Sequence, residues 1–148
     1  MITASHNPAC DNGIKIIEYT GSMIDQKWEK MCTEIANESD EQLEPMVNRL
    51  SGESVPEEYR TVQGLVLIGR DTRTSSPSLC EAVIDGVKAL NSAYQDFGLL
   101  TTPQLHYIVY AHNRDGEGEA SEDGYFKKFG QAFLDLVGRN CARKRQYF

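Results

Sequence analysis

A strand, a polar loop and a helix between residues 62 and 90 restrict the possible folds of this chain most strongly. The strand is predicted for residues 62–68, where Leu65-Val66-Leu67-Ile68 is an uninterrupted apolar run. Such a run is typical of a strand that helices cover on both faces. The loop GRDTRTSSP follows, with Ser76 as the predicted N-cap and Pro77 as the first helical residue. The predicted buried face of the helix consists of Leu79, Val83, Ile84, Val87 and Leu90.

The other elements continue this alternation of strands and helices. Further strands are predicted for residues 14–19 and 94–100. Further helices are predicted from about residue 25, around residues 43–50, after Thr102-Pro103, and over about 124–137. The Gly-rich, acidic segment 113–123 is predicted to be a mobile surface loop. Asp25 is the expected N-cap of the first helix, and Pro45 is one of the residues that punctuate the acidic segment 34–58, in which one short helix is still expected. We therefore predict an α/β fold with a mixed, largely parallel sheet and helices on both faces.

The loop after the clearest strand carries two arginines where α/β proteins collect ligands. Arg70 and Arg73 would lie at the carboxyl end of the strand and near the N-terminus of the helix. A guanidinium group can bind two phosphate oxygens at once, so both are candidate phosphate ligands. The alternative is that Asp71 forms a structural ion pair with one of them and holds the loop.

Length and charge limit the classes of protein that remain. A chain of 148 residues can build one domain with a core, and a net charge of −7 argues against a nucleic-acid partner. Arg139, Arg143, Lys144 and Arg145 form a basic run without acids. We therefore divide the chain into a domain of residues 1–138 and a disordered basic tail of residues 139–148, which is more often a frayed end than a targeting or anion-binding segment.

Cysteine usage and hydropathy favour a cytoplasmic protein. Cys10, Cys32, Cys80 and Cys141 are scattered without a CxxC pair, so free thiols are expected. The sequence shows neither a signal peptide nor an apolar stretch long enough to span a membrane. His106 and His112 are six residues apart and cannot share a helical face, so they are not expected to bind a metal together.

The first fifteen residues contain a candidate nucleophile on a tight loop. Ser5 is followed by Asn7-Pro8, which favours a turn, and Asn12-Gly13 can bring the chain back into an extended segment. A serine on such a loop can carry phosphate or act as a nucleophile. Most serines beside Asn-Pro are, however, ordinary turn residues.

The two strings TASHNP (residues 3–8) and NGIK (residues 12–15) resemble the active-site serine loop of the phosphohexomutase superfamily. The resemblance implies that Ser5 is phosphorylated in the resting enzyme and that Lys15 lies near the reacting groups. It further implies that His6 and Asn7 shape the loop or bind phosphate. The serine loop here precedes the GRDTR segment, an order that resembles the amino-sugar branch of the superfamily.

This branch interconverts N-acetylglucosamine 6-phosphate and 1-phosphate on the way to UDP-N-acetylglucosamine. The resemblance implies a phosphorylated amino-sugar as substrate. It also implies Mg²⁺ as cofactor, bound in part through the phosphate on Ser5.

The chain also departs from this family, because the metal loop, the sugar-binding loop and the distal phosphate-binding loop have no counterpart in it. The expectation is therefore a first domain only, incomplete at its N-terminus, with an exposed sheet edge through which copies could associate. The alternative function is a catalytically inactive fragment that acts at most as an interaction piece.

Overall fold

The structure is a computed structural model that describes residues 1–54 and 64–140. Its elements in chain order are α1 (Gln26–Ala36), α2 (Asp40–Ser54), β1 (Leu65–Arg70), α3 (Ser76–Ala89), β2 (Ala93–Leu99), α4 (Thr102–His112) and α5 (Glu122–Asn140). Residues 62 and 63 of the predicted strand and residues 141–148 of the predicted tail lie outside the described residues. The prediction of an α/β fold is confirmed.

The sheet is mixed and largely parallel, as predicted. β1 and β2 pair in parallel from Leu65 opposite Ala93 to Arg70 opposite Leu99. On the other side of β1, Ile2 forms a parallel bridge to Arg70 and an antiparallel bridge to Ile14. The short segment around Ile2 therefore joins the serine loop directly to the end of β1.

Helices cover the sheet on both faces because neighbouring side chains of β1 point to opposite sides. Ile68 packs with Ile2 and Cys80 in one cluster, to which α3 contributes Leu79, Val83 and Ile84. Leu67 packs against a second cluster, built mainly from α4 with Met1 and Leu100. Leu105 and Ile108 of α4 are almost completely buried in this second cluster. The alternation along β1 thus divides the core between α3 and α4.

Local signals at the helix ends are largely confirmed. The Asp25 side chain caps α1 by accepting a hydrogen bond from the Lys27 N–H at 2.9 Å. The helix predicted after Thr102-Pro103 is confirmed as α4; its capping box, in which the Thr101 N–H donates to Gln104 Oε1 at 2.7 Å, was not predicted. Pro45 lies inside α2, so the helix predicted around residues 43–50 is confirmed and continues through the proline.

The N-cap prediction for α3 is wrong by one residue. Ser75 is the N-cap, and Ser76 is the first residue of the helix. The Ser76 side chain is fully buried and donates to the Asp71 carboxylate instead of capping the helix. Leu90, which was predicted to be buried, lies just beyond the end of α3 and is 72% exposed.

The predicted strand at residues 14–19 is also wrong. Ile14 pairs only with Ile2, and Ile17 forms a separate antiparallel bridge to Met23. Because these two residues have different partners, no continuous ladder forms and the segment contains isolated bridges only. It is nonetheless apolar and exposed, since Ile14 and Ile16 retain 56% and 44% of their accessible surface.

The first half of β1 is less covered than its apolar run predicts. Leu65 and Val66 are exposed, whereas Ile68 is buried. A groove with a volume of about 630 Å³ separates this half of β1 from residues 14–17, and its lining is mainly apolar. α5 also presents an exposed apolar side with Phe126, Phe129 and Phe133, while Tyr125 at its start packs against the α4 cluster.

Candidate active-site loop

Ser5 lies on an exposed loop whose two ends are joined by a backbone hydrogen bond. The Thr3 N–H donates to the Gly13 carbonyl at 2.9 Å, and the loop runs between these residues. Within it, the Asn7 N–H donates to the Ala4 carbonyl at 2.8 Å and so closes a turn around Ser5. Thr3 is buried, while Ser5 is exposed. The loop therefore presents the serine hydroxyl to solvent from a buried base.

The guanidinium group of Arg73 holds this loop from the side of β1. Arg73 Nη2 donates to the carbonyl of Ala4 at 2.5 Å and to that of Asn7 at 3.0 Å. Arg73 Nε donates to the carbonyl of Asp11 at 2.9 Å. Arg73 Nη1 forms an ion pair with Asp71. One side chain therefore binds three main-chain carbonyls of the serine loop and is itself fixed by a carboxylate.

Asp71 is the centre of the polar network beneath the loop. It accepts hydrogen bonds from Thr3 Oγ1 at 2.7 Å and from Ser76 Oγ at 2.6 Å. It also accepts from the Arg73 main-chain N–H at 3.0 Å and from the Arg73 guanidinium group. Desolvation alone would raise the pKa of Asp71, but the hydrogen bonds from Ser76, Thr3 and Arg73 outweigh it and hold the pKa well below its usual range. Asp71 is therefore a stable anion that orders its donors.

Asn12 connects the returning end of the loop to the start of α3. Its Nδ2 lies 3.0 Å from both Ser75 Oγ and Ser76 Oγ, and its Oδ1 accepts from the Gly13 N–H at 2.8 Å. The serine loop thus packs beside the N-terminus of a helix of 14 residues. That end of a helix carries partial positive charge, which favours anions nearby.

The predicted site residues divide into those that the structure brings to the serine loop and those that it does not. Arg73 contacts the loop, but through the ion pair with Asp71 that was the alternative interpretation. The Arg70 guanidinium group points to β2, where Nη1 lies 3.5 Å from Asp96 Oδ2. The main chain of Lys15 pairs with Met1: the Met1 amino group donates to the Lys15 carbonyl, and the Lys15 N–H donates to the Met1 carbonyl, both at 2.8 Å. Within residues 1–54 and 64–140, the side chains of His6 and Lys15 form neither a hydrogen bond nor an ion pair.

Thr3, Asn12 and Ser76 were not predicted as site residues, and Asp71 was predicted only as a possible ion-pair partner. A signal for Asp71 was present, because it directly follows the strand end and stands two residues before an arginine. No local pattern could have shown that Thr3 and Asp71, 68 residues apart, would meet.

The described part of the chain does not form a Mg²⁺ site by itself. Among its residues, no group of three or more His, Cys, Asp or Glu side chains could hold a metal ion. Two cavities of about 620 and 630 Å³ lie elsewhere, and Ser5 lines neither of them. Residues 5–11 are all exposed, so the serine loop is an open surface rather than an enclosed pocket. The described helices are also either too short or too polar to cross a membrane.

Comparisons with known proteins agree with this loop and fold. Residues 1–43 and 44–118 match the family model described as phosphoglucomutase/phosphomannomutase, alpha/beta/alpha domain I. The chain is 45% identical over 137 residues to the phosphoacetylglucosamine mutase of Sus scrofa, covering 92% of this chain and 25% of that protein. It is 42% identical over 148 residues to the Homo sapiens phosphoacetylglucosamine mutase, covering 99% of this chain and 27% of that protein.

Solved structures of such mutases have the same fold as the chain. An apo-form N-acetylglucosamine-phosphate mutase aligns with a TM-score of 0.83 at 41% identity, over 94% of this chain and 30% of that chain. An Aspergillus fumigatus N-acetylphosphoglucosamine mutase variant in complex with glucose 1,6-bisphosphate aligns with a TM-score of 0.84 at 34% identity, over 89% of this chain and 25% of that chain. The Aspergillus fumigatus N-acetylphosphoglucosamine mutase with GlcNAc-6P and magnesium aligns with a TM-score of 0.77 at 34% identity, over 89% of this chain and 24% of that chain.

The chain spans about a quarter of the length of the curated relatives that it matches. The family and the domain predicted from the two strings at the N-terminus are therefore confirmed. This chain belongs to the phosphoglucomutase/phosphomannomutase family and corresponds to its first α/β/α domain.

Proposed function

We propose that this chain is the phosphoserine domain of a mutase that interconverts N-acetylglucosamine 6-phosphate and N-acetylglucosamine 1-phosphate. The observation that carries the proposal is Ser5, an exposed hydroxyl on a loop whose carbonyls are bound by one partly buried arginine. The relatives named as phosphoacetylglucosamine mutases and the enzyme solved with GlcNAc-6P support the choice of substrate. The product would feed the synthesis of UDP-N-acetylglucosamine in the cytoplasm.

Ser5 would carry a phosphoryl group between two positions of the sugar. In the first step, a sugar hydroxyl oxygen forms a bond to phosphorus while the bond between phosphorus and Ser5 Oγ breaks. The sugar hydroxyl releases its proton, and Ser5 Oγ takes one up. The bisphosphate then turns, and Ser5 removes the other phosphoryl group by the reverse step. A rigid loop favours this exchange, because the same oxygen must be aligned for attack in both orientations of the sugar.

The phosphate groups require positive charge around them, since each carries about −1.5 to −2 near neutral pH. In our proposal Lys15 neutralises charge near the reacting groups, and His6 and Asn7 bind phosphate. Arg70 has no part in it, because its guanidinium group is directed to Asp96 on β2. Arg73 acts differently, because its donors are already bound to the loop carbonyls and to Asp71. The positive end of α3 adds a fixed partial charge beside the loop.

Magnesium enters the proposal through the phosphorylated state of Ser5. Mg²⁺ prefers oxygen ligands and commonly combines phosphate with one or two carboxylates and water. A phosphate oxygen on Ser5 would be one such ligand. No group of three or more His, Cys, Asp or Glu side chains among the described residues could complete the site, so water and residues outside the described ones would supply the remaining ligands.

We also propose that these 148 residues do not turn over substrate alone. The serine loop is an open surface, and the chain spans about a quarter of its curated relatives. A sugar phosphate on this surface would stay solvated, and water would compete with the sugar for the phosphoryl group. Enclosure by other domains would remove that competition.

The test is a chimera in which this chain replaces the matching segment of the human relative. We expect the chimera to convert N-acetylglucosamine 6-phosphate to the 1-phosphate in the presence of Mg²⁺ and a sugar bisphosphate. The same chimera with Ser5→Ala should be inactive, and Ser78→Ala, on the surface of α3, is the matched control. Turnover that survives Ser5→Ala would refute the proposal. Turnover by the 148-residue chain alone would refute the requirement for the other domains.

A further inference from the structure

The hydroxyl of Ser5 has one close polar neighbour that the proposed reaction does not use. Thr3 Oγ1 lies 3.3 Å from Ser5 Oγ and 2.7 Å from Asp71 Oδ2. Thr3 is 3% exposed, while Ser5 faces solvent. A buried threonine therefore stands between a fixed carboxylate and the candidate nucleophile.

The direction of these hydrogen bonds follows from the number of protons. A threonine hydroxyl has one proton to donate, and the carboxylate is both the closer and the stronger acceptor. With that proton on the bond to Asp71, Thr3 Oγ1 has a free lone pair toward Ser5. The contact is then completed by the Ser5 hydroxyl, which donates to Thr3.

Asp71 is suited to orient Thr3 and unsuited to take up a proton. Ser76 Oγ and the Arg73 main-chain N–H donate to Asp71 Oδ1, while Thr3 and the Arg73 guanidinium group donate to Oδ2. The four donors fix both oxygens and keep the pKa of Asp71 well below its usual range. The carboxylate therefore stays ionised while Ser5 reacts.

We propose that Thr3, oriented by Asp71, holds the Ser5 hydroxyl in one rotamer by accepting its hydrogen bond, and that this presents the Ser5 lone pairs to the incoming phosphoryl group. As the bond between Ser5 Oγ and phosphorus forms, the bond between phosphorus and the sugar oxygen breaks; the Ser5 hydroxyl releases its proton, and the departing sugar oxygen takes one up. Thr3 touches the reacting oxygen, and Asp71 is a positioning residue that acts through Thr3. This inference rests on the proposed function of Ser5 as phosphoryl acceptor. It gives a specific role to Thr3, the first residue of the TASHNP string, and to Asp71, which lies outside both strings; the resemblance assigned no role to either.

The first test measures the rate at which a sugar bisphosphate phosphorylates Ser5 in the chimera with the human relative. Thr3→Val removes the hydroxyl at nearly constant shape, and we expect the maximal rate to fall about tenfold, as for the loss of one hydrogen bond to the reacting group. The concentration of bisphosphate that gives half of that rate should not change. Thr3→Ser keeps the hydroxyl and should restore the rate to within about twofold. Thr33→Val, which removes an exposed hydroxyl bonded within α1, is the matched control.

A double-mutant cycle tests whether Asp71 acts through Thr3. If it does, Thr3→Val combined with Asp71→Asn should be no slower than Asp71→Asn alone. Equal rates for Thr3→Val and the unsubstituted chimera would overturn the role of Thr3. Fully multiplicative losses in the double variant would overturn the coupling to Asp71.

A second measurement does not depend on phosphoryl transfer. In the 148-residue chain, the three-bond couplings of the Ser5 side chain in NMR should report one dominant χ1 rotamer, and Thr3→Val should show averaging between rotamers. An averaged Ser5 rotamer in the unsubstituted chain would contradict the inference. If the chimera were not phosphorylated at Ser5 while the rotamer result held, the proposed function would fail and the orientation by Thr3 would stand.

Discussion

Replacing Arg73 by methionine removes the side chain that binds the serine loop to the end of β1. The guanidinium group donates to the carbonyls of Ala4, Asn7 and Asp11 and pairs with Asp71. The Arg73 and Asp71 side chains are 13% and 18% exposed, so water does not readily replace the ion pair between them. Methionine keeps an unbranched apolar stem that reaches about as far as arginine Nε, and the change therefore reports mainly on the lost donors.

The expected cost follows from which partners lose their hydrogen bonds. Asp71 keeps its hydrogen bonds from Thr3, Ser76 and the main chain when Arg73 is replaced. The loss of stability should therefore lie at the lower end of the roughly 3–5 kcal/mol that breaking a buried ion pair costs. The Asn7 and Asp11 carbonyls belong to exposed residues and regain water. We therefore expect Arg73→Met to lower the free energy of unfolding by about 3 kcal/mol, the sum of about two hydrogen bonds to a charged group. For a domain of this size that is a decrease in Tm of about 9 °C.

The assay is urea unfolding at pH 7, with Arg70→Met as the matched control. Arg70 stands three residues earlier and forms an ion pair with Asp96 at 3.5 Å, and its guanidinium group faces β2 instead of the serine loop. Its replacement should cost about 1 kcal/mol or less. With a slope of about 1.5 kcal/mol per molar urea, the midpoint should fall by about 2 M for Arg73→Met and by less than about 1 M for the control. Equal shifts for the two variants would refute the reasoning.

Three further predictions concern acid stability, packing and association. Because the pKa of Asp71 is depressed in the folded chain, the carboxylate contributes its full stabilisation above pH 3.8, the ordinary pKa of the group, and loses it as the pH falls below that value. The urea midpoint measured from pH 7 to pH 2 should therefore fall less steeply in Asp71→Asn than in the unsubstituted chain. Equal slopes for the two chains would contradict this. Gly21→Ala should lower the free energy of unfolding by about 2 kcal/mol or more, because Gly21 has a φ of +79° and an added Cβ would lie 2.7 Å from Tyr110 Cβ. Gly86→Ala, in α3 where an added Cβ meets open space, is the control and should be neutral or stabilising. Equal changes of Tm in the two variants would contradict the prediction. The exposed apolar groove beside β1 should promote association of the isolated chain, and Ile16→Lys should lower the mass measured by light scattering; a monomer before the substitution would refute this.

The parts of the fold that could be predicted are those set by short-range chemistry. Asp25 caps α1 as predicted, because its bond from the Lys27 N–H spans only two residues. The apolar run in β1 likewise predicted a strand with α3 and α4 on its two faces. The two strings around Ser5 predicted the family, since a match at a fixed offset reports on the loop as a whole.

The parts that could not be predicted depend on distant partners. Ser76 looked like an N-cap from its neighbour Pro77, but its hydroxyl is bound by Asp71 in the folded chain. Residues 14–19 have the alternation of a strand, yet Ile14 and Ile17 find different partners. The role of Arg73 depended on carbonyls 62 to 69 residues away, and a guanidinium group suited to phosphate is equally suited to carbonyls.

The central claim is that Ser5 carries phosphate, and locating the phosphate tests it most directly. The chimera with the human relative would be incubated with a sugar bisphosphate and Mg²⁺, and its peptides sequenced by mass spectrometry. The account predicts one phosphoryl group, on Ser5, that N-acetylglucosamine 6-phosphate then removes. Phosphate on Ser75 or Ser76 instead, or phosphate on Ser5 that the sugar does not remove, would contradict it.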